Sequence, residues 1–283
     1  MRNSNKRKLM SPIITMEEID GRTIRVARWI SGSDDHFPIL FFNGIGANLE
    51  MITPLAEAMP ERDLITFDMP GIGGSPDAII PYRPWMMARI ADRLLDKYGY
   101  DKVDVMGVSW GGAMAQQYAL QCGARVGKLI LAATTAGMLM VPGKIASLSK
   151  MADPRRYIDP DFMLKNFKAL YGGADAGATG HVDRIRPPTK MGYLYQLVAM
   201  MGWTSAPWLP LMRPETLIMM GDADNIVPLV NGKFLKSLIP NSRLEVIKDG
   251  GHLFLVAQAE YCVGIIRTFL DAEDNLVPIR KVA

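Results

Sequence analysis

Apolar residues in this chain fall into short runs separated by turn-forming residues. Ile39–Phe42 is apolar throughout, the pattern of a strand buried on both faces. Leu64–Asp68, Val103–Met106, Lys128–Ala133, Thr216–Met220 and Arg243–Ile247 repeat it. Segments with helical character, among them Pro84–Tyr98 and Asn231–Ile239, lie between several of these runs. Alternating buried strands and helices predict an α/β fold with a mostly parallel sheet covered on both faces. Ahead of it, Ile13–Ile19 and Thr23–Trp29 meet at Asp20-Gly21, a two-residue hairpin signal.

The alternation lapses between about Thr134 and Arg213. That stretch has no convincing strand, is rich in Met, Tyr and Trp, and carries the breakers Pro142-Gly143, Gly172-Gly173 and Pro187-Pro188. It predicts a helical cap, residues 134–212, inserted into a core made of residues 1–133 and 213–283. No internal repeat or low-complexity tract is apparent.

Composition narrows the class. A chain of 283 residues, 49% hydrophobic and 22% charged, suits a soluble globular protein with a large core. A net charge of +3 is too small to argue for a nucleic-acid partner, and part of it sits in a basic tail of Arg2, Lys6, Arg7 and Lys8. Ser11-Pro12 and Glu17-Glu18 follow that tail where a signal peptide needs an apolar run, so an intracellular, cytoplasmic location is expected. Cys122 and Cys262 are read as free thiols. No Cys/His cluster has metal-ligand spacing, and neither a metal nor a cofactor is expected. Tyr193–Met212 runs 20 residues without a charge, which is spanning length. Its Gln196, Thr204, Ser205, Pro207 and Pro210 argue instead for a lid or an apolar docking face, and no transmembrane segment is expected.

The chemistry centres on one serine. Gly107-Val108-Ser109-Trp110-Gly111 fits G-x-S-x-G, with a strand before it and a helix start after it. That is the context of a nucleophile elbow, in which a strained turn lifts the hydroxyl clear of the sheet and needs small neighbours. A serine hydroxyl is a poor nucleophile at neutral pH and requires a base. Of three histidines, His36 lies in a polar loop and His181 in the cap, and both read as surface or core residues. His252 follows Gly250-Gly251 after the last strand, where a tight loop can carry the imidazole toward Ser109. The base needs an acid, and Asp222 and Asp224 both sit at the C-terminal end of the Thr216–Met220 strand. Asp224 is taken as the acid and Asp222 as a loop residue capping its own backbone. The order Ser109, Asp224, His252 is the nucleophile–acid–histidine order of α/β-hydrolases. For the oxyanion, the backbone N–H of Trp110 and that of Ile45, within Asn43-Gly44-Ile45-Gly46, are the candidate donors. Phe67–Ser75 lacks the lysine of a phosphate loop and reads as a structural turn shaping the rim.

Taken together, Asn43 to Gly46, Phe67 to Ser75, Gly107 to Gly111, Gly221 to Pro228 and Gly251-His252 resemble the α/β-hydrolase superfamily over nearly the whole chain. A narrower resemblance lies in Phe42 to Glu50, Gly107 to Ala113, Met140 to Lys144, Asp153 to Tyr157, Lys190 to Tyr193 and Gly202 to Ser205. These resemble intracellular depolymerases of medium-chain-length polyhydroxyalkanoates (PHA). The resemblance implies an α/β-hydrolase fold with a lid and a Ser109–Asp224–His252 triad. It also implies hydrolysis of a storage polyester to 3-hydroxyalkanoic acids, with the granule surface as a candidate partner. Asn43 stands where the wider superfamily often has His, which leaves the Ile45 N–H in place. Met138, Met140, Met200, Met201, Trp203 and Trp208 are either an adaptable apolar surface for alkyl side chains or simply the packing of the cap. Two rival readings remain: a carboxylesterase or lipase-like hydrolase of small soluble esters, and a non-catalytic binding protein on the same fold. Ser109 disfavours a dehalogenase, whose elbow nucleophile is Asp.

Overall fold

The computed structural model describes residues 11–33, 35–151, 153, 155–173 and 177–272. The basic tail of Arg2, Lys6, Arg7 and Lys8 and Pro154 of the Asp153–Tyr157 motif lie outside the described residues. Among the described residues eight strands form one sheet: β1 (Ile13–Ile19), β2 (Arg22–Trp29), β3 (Ile39–Phe42), β4 (Leu64–Phe67), β5 (Val103–Val108), β6 (Val126–Ala132), β7 (Glu215–Gly221) and β8 (Ser242–Ile247). Their spatial order is β1-β2-β4-β3-β5-β6-β7-β8. β1 and β2 pair antiparallel, β2 runs antiparallel to β4, and every pairing from β4 to β8 is parallel. The expected mostly parallel α/β sheet is therefore the observed one.

The hairpin closes through Asp20 at φ +48° and Gly21 at φ +72°, two positive φ values in succession, as a type I′ turn demands. In the sheet interior β3 and β4 are buried at every position, because helices cover both faces. Helices α1 (Thr53–Ala58) and α11 (Ala259–Asp271) pack on one face, while α2 (Pro84–Tyr98), α3 (Trp110–Gln121) and α9 (Leu229–Leu238) pack on the other. α2 shows why such helices form: Pro84 presets the first turn, and Met87, Ile90, Ala91, Leu94 and Leu95 recur on one buried stripe. Gly99 then ends it at φ +75°.

Between β6 and β7 the described residues make five α-helices: α4 (Ile145–Met151), α5 (Arg155–Ile158), α6 (Pro160–Tyr171), α7 (Ala178–Asp183) and α8 (Lys190–Met200). The sole β pairing among the described residues of this stretch is an isolated Gly137–Thr204 bridge. After β8 a short helix, α10 (Phe254–Ala257), leads into α11.

Candidate active site

Ser109 sits between β5 and α3 at φ +55°, ψ −120°, a backbone conformation costing a non-glycine residue about 1–3 kcal/mol. Three hydrogen bonds hold it there. The Ser109 N–H donates to the Ala132 carbonyl at 2.9 Å, and the Gly112 N–H donates to the Ser109 carbonyl at 2.9 Å. The Thr134 hydroxyl donates to the same carbonyl at 2.7 Å. The flanking glycines are sterically required: a Cβ on Gly107 would lie 2.2 Å from the Gly111 carbonyl oxygen, and one on Gly111 would lie 2.0 Å from that of Phe42. β5 packs against its own helix too closely for any side chain.

The loops after β5, β7 and β8 bring the three side chains together. Ser109 Oγ is 2.9 Å from His252 Nε2, and His252 Nδ1 is 2.8 Å from Asp224 Oδ2. In the catalytic tautomer the serine hydroxyl donates to Nε2 and the Nδ1–H donates to the carboxylate. The other carboxylate oxygen, Oδ1, accepts the N–H groups of Ile226 at 2.7 Å and Val227 at 2.9 Å. Asp222 is exposed, and the backbone-capping role expected of it belongs to Asp224. His36 is remote from this group, with Nδ1 4.0 Å from Asp271.

The histidine loop departs from expectation in one respect. Its positive φ falls on Asp249 (+54°), and neither Gly250 nor Gly251 has one. Gly251 is needed for proximity instead, since a Cβ there would meet the Gly172 carbonyl oxygen at 2.2 Å. The end of α6 thus lies backbone to backbone on the His252 loop. The His252 N–H donates to the Tyr171 carbonyl at 2.6 Å, and the Tyr171 ring stacks parallel to the imidazole with centroids 6.3 Å apart.

The Asn43–Gly46 loop after β3 faces Ser109, and the segment between β6 and β7 holds it from the other side. The Gly46 N–H donates to Gln196 Oε1 at 2.7 Å, and the Tyr157 hydroxyl donates to the Ile45 carbonyl at 3.1 Å. Trp110 Nε1–H donates to the Gln196 carbonyl at 3.1 Å. As the first residue of α3, Trp110 has a main-chain N–H with no partner in a preceding turn, which leaves it free to point at a ligand. The Phe67–Ser75 turn is tied in beneath: buried Asp68 accepts the N–H groups of Leu49 at 2.7 Å and Gly74 at 2.9 Å, and an Arg25 N–H at 3.1 Å.

A cavity of about 190 Å³ opens at Ser109 and His252. Its wall is mainly apolar, with Met51, Leu55, Val108, Met163, Ile185 and Val256 among the lining side chains. None of Met138, Met140, Met200, Met201, Trp203 or Trp208 lines it among the described residues; Met138, Met201 and Trp208 are exposed on the outside instead. His181 does line it, set edge-on to the rings of Phe167 and Tyr171 at 5.9 and 6.2 Å. Burial, helped by Arg184 and Arg156, lowers its pKa to about 4, so it is neutral at pH 7.

Arg156 also lines the cavity, and it is only 4% exposed. Its guanidinium lies 4.1 Å from the Tyr157 ring centroid and 5.6 Å from that of Tyr193. Its N–H groups reach Met151 Sδ at 3.3 Å and the hydroxyls of Tyr157 and Tyr193, and Nε is buried without a partner. Cation–π contacts are worth about 0.5–2 kcal/mol each, less than the several kcal/mol that burying an unpaired charge costs. Nothing along the sequence assigns roles to Arg156, Tyr157, Tyr171 or Gln196. The available hint was Gln196, one of the few polar residues in an otherwise apolar helix. Among the described residues no three His, Cys, Asp or Glu side chains converge as a metal site.

The profile of the alpha/beta hydrolase fold family matches residues 38–171. The chain belongs to the α/β-hydrolases, the family its motifs point to. Within that family it is 45% identical over 262 residues to the poly(3-hydroxyalkanoate) depolymerase of Ectopseudomonas oleovorans, covering 90% of this chain and 92% of that protein. It is 26% identical to the 2-hydroxy-6-oxo-2,4-heptadienoate hydrolase of Pseudomonas putida, over 84% of this chain and 90% of that one. Among solved structures, an esterase from Exiguobacterium antarcticum superposes with a TM-score of 0.76 at 22% identity, covering 91% and 98% of the two chains. At that identity the likeness shows a shared fold.

Proposed function

We propose that the chain hydrolyses ester bonds of medium-chain-length poly(3-hydroxyalkanoate) to 3-hydroxyalkanoic acids through an acyl-enzyme. The observation that carries this reading is the Ser109–His252–Asp224 hydrogen-bonded chain at an apolar cavity, in a protein 45% identical to a poly(3-hydroxyalkanoate) depolymerase. His252 takes the Ser109 proton as Oγ attacks the ester carbonyl, and Asp224 stabilises the imidazolium. The Ile45 and Trp110 N–H groups hold the oxyanion. His252 then protonates the departing alcohol, and water repeats the cycle on the acyl-enzyme. Apolar walls favour alkyl side chains over polar ones.

In this reading residues 134–212 form a cap on a core of residues 1–133 and 213–283. The outer face of the cap exposes Leu194, Leu197, Met201, Trp208 and Leu211. Exposed apolar side chains of this kind suit docking on a polyester granule in the cytoplasm. No described helix is long and apolar enough to cross a membrane.

The test is release of 3-hydroxyalkanoic acids from medium-chain polyester granules by the wild type and by Ser109→Ala. Release by the wild type that falls about 10³-fold or more in the variant is the expected outcome. A folded wild type that releases nothing from granules yet cleaves soluble esters is a carboxylesterase. Co-sedimentation of Ser109→Ala with the granules checks docking, and loss on replacing Trp208 and Leu211 by Ser is expected.

A further inference from the structure

Two hollows meet at Arg156. The cavity that holds Ser109 and a second opening of about 240 Å³ share Arg156, Tyr157, Met163 and Ile185. Arg156 therefore borders both the hollow that holds the nucleophile and the one beside it. It is always charged, and among the described residues its polar contacts are to the Met151 thioether and the phenols of Tyr157, Tyr193 and Tyr171. Among the described residues it has no carboxylate partner, and Nε is buried without a hydrogen-bond partner. A phenol accepts a hydrogen bond but does not neutralise a cation, and aromatic faces offset only part of the desolvation. Elsewhere in the chain buried guanidinium groups are neutralised: Arg25 pairs with Asp68 at 3.1 Å and Arg62 with Asp104 at 3.2 Å. Among the described residues Arg156 is the exception, and it lines the cavity at Ser109.

We propose that Arg156 binds a carboxylate, namely the free acid end of an oligomeric 3-hydroxyalkanoate chain, and so directs cleavage to the last ester bond. The proposal rests on the polyester reading above. In such a chain only two carbons separate the terminal carboxylate from the alcohol oxygen of the last ester. A carboxylate seated on Arg156 thus keeps that ester inside the same small cavity as Ser109. When the acyl C–O bond breaks, Ser109 keeps the acyl group and the alcohol oxygen takes the proton from His252. The terminal unit leaves as a 3-hydroxyalkanoate. Planar, bidentate recognition of this kind is what a guanidinium provides and an ammonium does not.

The test compares a dimer of 3-hydroxyoctanoate carrying a free carboxylate with the same dimer as its methyl ester. Wild type prefers the free acid in kcat/KM by about tenfold or more, the worth of one charge-assisted hydrogen bond. Arg156→Met abolishes that preference and Arg156→Lys retains only part of it. A wild type with no preference, or an Arg156→Met variant that keeps the wild-type ratio, overturns the proposal. Because the readout is a ratio, a general loss of activity does not mimic it. A second measurement is independent of the polyester reading and of any variant: inhibition of p-nitrophenyl octanoate hydrolysis by 3-hydroxyoctanoate and by its methyl ester. Stronger competitive inhibition by the acid, at a pH where it is ionised, supports a carboxylate site even if neither dimer is a substrate. Equal inhibition by the two overturns it.

Discussion

Asp224 uses its two carboxylate oxygens for different tasks, and this separates it from Asp222. Oδ1 takes two backbone N–H groups of its own turn and Oδ2 takes His252. The turn thus fixes the carboxylate before the histidine arrives, which is preorganisation at the level of one side chain. Asp224→Asn is expected to lower kcat on a p-nitrophenyl ester by about 10⁴-fold, by analogy with the same change in other triads, because the amide favours the wrong imidazole tautomer. Asp222→Asn, at an exposed position, is expected to stay within about twofold. Comparable losses in both variants would unseat the assignment. The three side chains that the structure brings together, Ser109, His252 and Asp224, were legible in the sequence because a serine nucleophile demands particular residue types at the ends of particular strands. Arg156 and Tyr157 were not, since Tyr157 bonds to the Ile45 carbonyl more than 100 residues away in sequence and Arg156 packs on Tyr157, contacts that no local pattern encodes.

Elements were legible wherever burial on both faces enforces an apolar run. β1, β3 and the helix α2 coincide with their expected bounds, β4 stops one residue short of Asp68, and the other strands begin or end one or two residues from theirs. β5 runs on to Val108 because Gly107, read as part of the elbow, still pairs with Phe42 and Leu131. At the opposite edge, the hairpin is fastened to α2 through a charge. Glu17 of β1 meets Lys97 at 2.5 Å and accepts the Tyr98 hydroxyl at 2.8 Å. Burial works to raise its pKa, but bonds from Lys97, Thr15 and Tyr98 outweigh it and bring the pKa down to about 2, from 4.5 in the free side chain. A depressed carboxylate stabilises the fold fully above the unfolded value and loses that contribution as pH falls through the folded one. Glu17→Gln should therefore lower Tm by about 2–4 °C at pH 7, the shift that 1 kcal/mol gives a chain of this size. The gap should close between pH 4.5 and 2 in a thermal melt series. A gap that is constant with pH would mean that Glu17 acts through packing alone.

At the scale of the molecule, the segment between β6 and β7 acts as more than a roof. Its α6 end lies on the histidine loop through Gly172 and Gly251, and its Lys144 N–H donates to Asn225 beside the acid at 2.8 Å. Gln196 on α8 completes the set, accepting from Gly46 through its side chain and from the Trp110 indole through its carbonyl. One glutamine therefore anchors the neighbour of one proposed oxyanion donor, Ile45, and the side chain of the other, Trp110. This arrangement ties the inserted segment to the loops that carry the proposed oxyanion donors. Gln196→Ala leaves the Gly46 N–H without its acceptor in a buried seam, a loss of about 1–3 kcal/mol. The effect should reach chemistry, because Gly46 is bonded to Ile45 and a displaced donor no longer meets the oxyanion. Loss of a whole oxyanion donor costs about 10²–10³-fold in kcat, so a shifted one should cost about 10–100-fold, with a smaller change in KM. Gln196→Glu keeps an acceptor for Gly46 and should recover most of kcat, whatever it does to Tm. If Gln196→Ala lowers Tm but leaves kcat intact, the glutamine is a structural clamp and the oxyanion loop holds its shape without it.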